Sequence, residues 1–128
     1  IARLRKHPEL GRRLHWLHGI SDEYLDRLYQ GSACLLFASE GEGFGLPLIE
    51  AARHGLPLLA RDLPVFREVA GEHAVYFGGT TGAALATALR DWLALRAAGQ
   101  APASSGMRWH TWSDNAAALT AILFPPEA

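Results

Sequence analysis

Ser39-Glu40-Gly41-Glu42-Gly43-Phe44-Gly45-Leu46-Pro47-Leu48-Ile49-Glu50 is the stretch on which the fold turns. Immediately before it, residues 33–38 (Ala-Cys-Leu-Leu-Phe-Ala) form a continuous apolar run of strand length, as a strand covered on both faces requires. Immediately after the glycines, Leu46 and Pro47 open a helix, since proline suits a first turn whose N–H groups have no helical partner. Gly55 is the expected end of that helix. Strand, glycine-rich loop and helix in this order mark the crevice where open α/β sheets bind ligands.

The residue types in the loop suit such a site. Glycines at 41, 43 and 45 permit positive φ and close approach of a ligand to the backbone. The N–H groups of Gly43, Phe44, Gly45 and Leu46 are then candidates to face a phosphate or the polar edge of a sugar, helped by the helix dipole. Glu50 stands about one turn into the helix, and helical side chains lean back toward the N-terminus. An acceptor-only carboxylate there can take a pair of vicinal hydroxyls, such as those of ribose. Its neighbours Leu48, Ile49, Ala51 and Ala52 make an apolar setting that a merely solvated glutamate rarely has. Glu42 would stand on the loop at the other end of a bound nucleotide-sugar. For Glu40 the plainer reading, a dipole partner at a helix start, is preferred; for Glu50 both readings stand on the residues alone. The glycine spacing is not the dinucleotide fingerprint, and the lysine of a phosphate-binding P-loop is missing.

Outward from the loop, short apolar runs alternate with amphipathic stretches. Upstream, residues 1–14 give a loose helical pattern broken by Pro8, and residues 14–17 alternate enough for a short strand closed by Gly19. Ser21 reads as the cap of a helix with Asp22 and Glu23 in its first turn and Leu25, Leu28 and Tyr29 on its buried face. Downstream come a strand at 57–60, a helix at 64–70 closed by Gly71, a strand at 74–77, and a helix at 83–98 with Leu85, Leu89, Trp92 and Leu93 on one stripe. Residues 99–106 read as a surface linker. Ser113 is the expected cap of a last helix reaching Leu123, stopped by Pro125 and Pro126. The pattern predicts an α/β domain: a Rossmann-like parallel sheet with right-handed crossovers and helices on both faces.

The totals bound the rest. The 128 residues suit one domain, taken as 1–128, and the net charge of −1 with a fifth of residues charged excludes a basic nucleic-acid binder. No run of about 18 apolar residues is present to span a membrane, and no secretory signal opens the chain. The single cysteine, Cys34, falls inside an apolar run and reads as a buried reduced thiol, which favours a cytoplasmic setting. His15 and His18 would lie on opposite faces of a strand, so no metal site is expected. Trp92, Trp109 and Trp112 read as packing residues, with no basic run to suggest nucleic acid.

Glu42, seven intervening residues and Glu50, enclosing Gly43-Phe44-Gly45-Leu46-Pro47, resemble the signature of the family 4 retaining glycosyltransferases of the GT-B fold. Gly19-Ile20-Ser21-Asp22-Glu23-Tyr24-Leu25 resembles that family's strand-end glycine and following helix. Ala51-Ala52-Arg53-His54-Gly55-Leu56-Pro57, Arg67-Glu68-Val69-Ala70-Gly71 and Thr111-Trp112-Ser113 extend the likeness over roughly residues 14–124. The resemblance implies the C-terminal donor domain of a glycosyltransferase acting in polysaccharide or glycolipid biosynthesis. Glu50 would hold the ribose hydroxyls, and Glu42, the implied catalytic residue, would face the donor sugar. Gly43, Phe44, Gly45 and Leu46 would contact sugar or phosphate, and Gly19 and Ile20 would lie against the nucleobase. It further implies transfer from a nucleoside-diphosphate sugar with retention, no bound metal and no cofactor beyond that substrate. The acceptor, a glycan or lipid-linked glycan, would sit on an N-terminal domain, with the intact protein associated peripherally with the cytoplasmic membrane face.

Where the chain departs from the family, further expectations follow. A donor domain of this type has strands ordered 3-2-1-4-5-6. Four are expected here, the last four in sequence, with the first two belonging between residues 14–17 and 33–38. The basic residues that neutralise the diphosphate are expected upstream with those strands; Arg3, Arg5, Lys6, Arg12 and Arg13 read as a solvated face, and the chain alone as an inactive piece. Rival readings are a non-catalytic nucleotide-sugar-binding module, a nucleotide-sugar epimerase on the same fold, and a glycosidase using Glu42 and Glu50 about 5–10 Å apart.

Overall fold

The computed structural model describes residues 2–125. Three short parallel strands, β1 (Leu35–Phe37), β2 (Leu58–Arg61) and β3 (Ala74–Phe77), pair in the order β1-β2-β3. Around them run α1 (Ala2–Arg5), α2 (Asp22–Gly31), α3 (Leu46–Arg53), α4 (Pro64–Ala70), α5 (Gly82–Ala97) and α6 (Trp112–Leu123). Single 3-10 turns lie at Gly71–His73 and Ser104–Gly106. Strands therefore alternate with helices, as the apolar runs predict.

The period of two along each strand sorts its side chains between two cores. Leu58, Ala60 and Ala74 pack with Leu48, Ala51 and Ala52 of α3 and Phe66 and Ala70 of α4. Their neighbours Leu59 and Phe77 pack instead against Trp92 of α5, with Leu85 and Leu89 beside it. The sheet is thus covered by helices on both faces, and it is Rossmann-like. Phe66, fully buried, lies with its ring 4.6 Å from that of Phe37 and joins α4 to β1. Removing a buried phenyl ring of this kind costs about 3–5 kcal/mol.

Several local expectations need correction. Residues 14–17 form no strand; they are irregular apart from one parallel bridge between Leu10 and Leu14. Trp16 packs locally instead, 4.5 Å from the His18 ring, and among the described residues no strand lies alongside to supply a ladder. The described residues therefore hold three strands rather than the four expected. Among the described residues β1 has no partner on its outer edge, and Leu36 is 37% exposed although its register partner Leu59 is fully buried.

The cap of α6 is Thr111, not Ser113. Thr111 accepts from the Asp114 N–H, and Asp114 accepts from the Thr111 N–H, which satisfies two end groups reciprocally. The 99–106 segment is not wholly at the surface, because Ser104 is buried, and Met107 just beyond it joins the α3–α4 core. Leu93 is exposed rather than on the packed stripe of α5, and Trp112 is 89% exposed. Pro125 follows α6 as expected, whereas Pro126 lies outside the described residues. Among the described residues no helix is long and apolar enough to cross a membrane.

Candidate functional site at the start of the third helix

The loop after β1 ends in a left-handed glycine. Gly45 is the N-cap of α3 with φ of +91°, and a Cβ built on it would stand 3.0 Å from the Phe66 ring. Gly41 and Gly43 do not have positive φ, so only one of the three loop glycines uses the left-handed region expected of them. At this helix start no side chain caps the backbone. Among the described residues the N–H groups of Gly43, Phe44, Gly45 and Leu46 donate to no other part of the fold. Uncapped N–H groups at a helix start are directed at an incoming acceptor, and the dipole favours an anion there. Phe44 and Leu46, 53% and 58% exposed, flank the opening.

Glu50 lies one turn further into α3, half-buried between α3 and α2. Its Oε2 accepts a 2.9 Å hydrogen bond from the Tyr29 hydroxyl of α2. Burial, with the bond to Glu50 and its negative charge next, pushes the Tyr29 phenol up to about 12. Tyr29 therefore stays protonated near neutrality and donates permanently, fixing one carboxylate oxygen and leaving the other free to accept. His54, at the end of α3, stacks on Tyr29 with ring centres 5.7 Å apart, and its Nε2 lies 2.9 Å from Asp26 Oδ1. Asp22, Leu25, Asp26, Tyr29, Arg53 and His54 line a shallow cavity of about 170 Å³ with Glu50.

Glu42 is exposed on the loop, where its Oε1 accepts a 2.7 Å hydrogen bond from Ser39. The two carboxylates thus answer to different elements: Glu50 to α2, Glu42 to the end of β1. Gly19, with φ of +57°, and Ile20, 36% exposed, precede Ser21, which caps α2 by accepting from the Tyr24 N–H at 3.3 Å. They stand before the start of α2, whereas Tyr29 is in its last turn, and they do not line the cavity that holds Glu50.

A wider groove, of about 510 Å³, runs between β3 and α5 and is lined by Val75, Phe77, Ala84, Ala88 and Asp91. It is lined by no residue of the glycine loop and offers Asp91 and Thr87 on otherwise mostly apolar walls, so the site is assigned to the loop. Among the described residues no three His, Cys, Asp or Glu side chains gather as a metal site. Cys34 is half-buried, and burial pushes its thiol up to about 11.

Sequence reasoning missed Tyr29, His54 and Ser39 as members of the site. Tyr29 reads simply as part of a buried helix face, and its partner is 21 residues away. Ser39 did carry a signal, since a hydroxyl three residues from a glutamate can reach it.

The profile of the family described as "Glycosyl transferases group 1" matches residues 2–107. A serotype-specific mannosyltransferase WbdA of Escherichia coli is 53% identical over 117 residues, 91% of this chain and 14% of that protein. The O-antigen chain mannosyltransferase RfbU of Salmonella typhimurium is 40% identical over 68 residues, 53% of this chain and 19% of that protein. An O-antigen chain mannosyltransferase B of Escherichia coli is 34% identical over 59 residues, 46% of this chain and 16% of that protein. The chain therefore spans only 14% of the length of the WbdA relative.

Proposed function

Since the chain belongs to the group 1 glycosyl transferases, we propose that it binds the nucleoside-diphosphate sugar of a retaining transferase that builds a surface polysaccharide. The sugar is read as mannose, because the three relatives described above are named mannosyltransferases; a further relative, 41% identical over 63 residues, is named an N-acetylglucosaminyltransferase, which makes N-acetylglucosamine the rival donor sugar. Glu50 takes the ribose hydroxyls on its free oxygen while Tyr29 holds the other. The open N–H groups from Gly43 to Leu46 take the distal phosphate or sugar oxygens, and Glu42 faces the sugar. Gly19 and Ile20 lie against the base. No metal and no resident cofactor enter this reading, and the donor is a substrate.

In the transfer, the bond between the anomeric carbon and the diphosphate oxygen breaks. An acceptor hydroxyl forms the new bond on the same face, and its proton leaves with the diphosphate. The rest of the polypeptide supplies the acceptor site, the cations that offset the diphosphate charge, and any contact with the cytoplasmic membrane face. The observation that carries this reading is one carboxylate, held by a neutral tyrosine, one turn behind an uncapped glycine-initiated helix.

The test offers the full polypeptide carrying this chain a panel of UDP-, GDP- and ADP-sugars with a glycan acceptor, and reads the product by NMR. Transfer of mannose with its anomeric configuration kept is the expected result. Transfer of another sugar overturns the donor assignment, and an inverted linkage overturns the retaining one.

A further inference from the structure

Arg61 is the last residue of β2, half-buried, and among the described residues it has no carboxylate partner. Its guanidinium instead serves backbone carbonyls at the C-terminal ends of both neighbouring strands. Nε donates to Ser39 O at 3.0 Å and to Ala38 O at 3.2 Å, and Nη2 donates to Ala38 O at 3.0 Å. Nη1 donates to Gly79 O beyond β3, and the group lies over the Phe77 ring at 5.2 Å. A planar fork can span these acceptors together; an ammonium on a flexible stem cannot.

Two of those carbonyls belong to the residues that launch the glycine loop. Ser39, whose carbonyl Arg61 holds, turns its hydroxyl onto Glu42 at 2.7 Å. We propose that Arg61 and Ser39 are positioning residues that fix the Glu42 carboxylate: Arg61 pins the Ser39 backbone, and Ser39 pins Glu42. The inference rests on the reading of Glu42 as the carboxylate facing the donor sugar. A charged arginine on carbonyls at this edge also leaves the loop's own N–H groups unengaged, so the clamp does not occupy the donor opening. Misplacement of a reacting group by about 1 Å can cost on the order of a hundredfold in rate. Preorganisation of this kind therefore belongs in turnover rather than in nucleotide affinity.

The test is a double-mutant cycle in the full polypeptide, with kcat and donor KM measured for each variant. Arg61→Lys keeps the charge and Ser39→Ala keeps the Ser39 carbonyl, so each breaks a different link. Each should lower kcat by roughly ten- to a hundredfold with donor KM nearly unchanged. In a Glu42→Gln background, itself slow, the same two changes should have less than about a twofold effect. Persistence of the full loss in that background would mean a general structural role and overturn the inference alone. A raised KM with intact kcat would overturn it as well. A Glu42→Gln enzyme as fast as the parent would instead remove the reading of Glu42 on which the inference stands.

Discussion

Gly45 shows how one residue couples the fold to the site. Its φ of +91° turns the chain from the loop into α3, and the missing Cβ leaves room for Phe66 beneath. Gly45→Ala should destabilise the protein by roughly 1–2 kcal/mol from the backbone alone, with crowding against the ring added. Gly41→Ala, with neither positive φ nor any atom within 4 Å of the added Cβ, should be close to neutral. Denaturation midpoints of the two variants check this, and equal midpoints would refute it. The sequence shows Glu42, Gly45 and Glu50 because the loop residues are contiguous and their chemistry is dense. Tyr29 and Arg61 act across 21 and 22 residues, and only the packing of α2 on α3 and of β1 on β2 brings them in.

At the level of elements, the helices are readable, α6 included apart from its cap residue, whereas the strand expected at 14–17 is not there. The apolar runs of residues 33–38 and 74–77 identify strands because flanking helices bury them. Residues 14–17 show alternation without a neighbour, and that signal alone leads to a strand that does not form. In α6 no side chain is buried, so its helicity leans on the Thr111–Asp114 capping box. Thr111→Ala should cost that helix about 1 kcal/mol, seen as weakened helical NMR shifts over residues 113–123. The hydrogen bonds from Thr111 hold the Asp114 carboxyl below the usual aspartate range. A depressed folded pKa stabilises above the unfolded value, about 3.9, and the benefit is lost as pH falls through the folded value. The helical shifts should hold from neutrality down to about pH 4 and fade below it. Fading that begins well above pH 5 would point away from Asp114.

For the molecule as a whole, an α/β sheet wrapped on both faces follows from the order of apolar runs, and the family follows from the loop. Among the described residues the outer edge of β1 is open, with Leu36 exposed on it, so an added strand would find its ladder partners there. Whether Glu50 recognises the ribose of a nucleotide-sugar donor can be read by calorimetry on the full polypeptide. The nucleoside-diphosphate mannose that binds is compared with its 2′,3′-dideoxy analogue, in the parent and in Glu50→Gln. The parent should lose about tenfold or more in affinity for the analogue, the loss of a hydrogen bond to a charged group being roughly 1.5–3 kcal/mol. The Glu50→Gln variant should bind both ligands weakly and discriminate little between them. Equal affinity of the parent for both nucleotides, or full discrimination surviving in Glu50→Gln, would contradict the assignment.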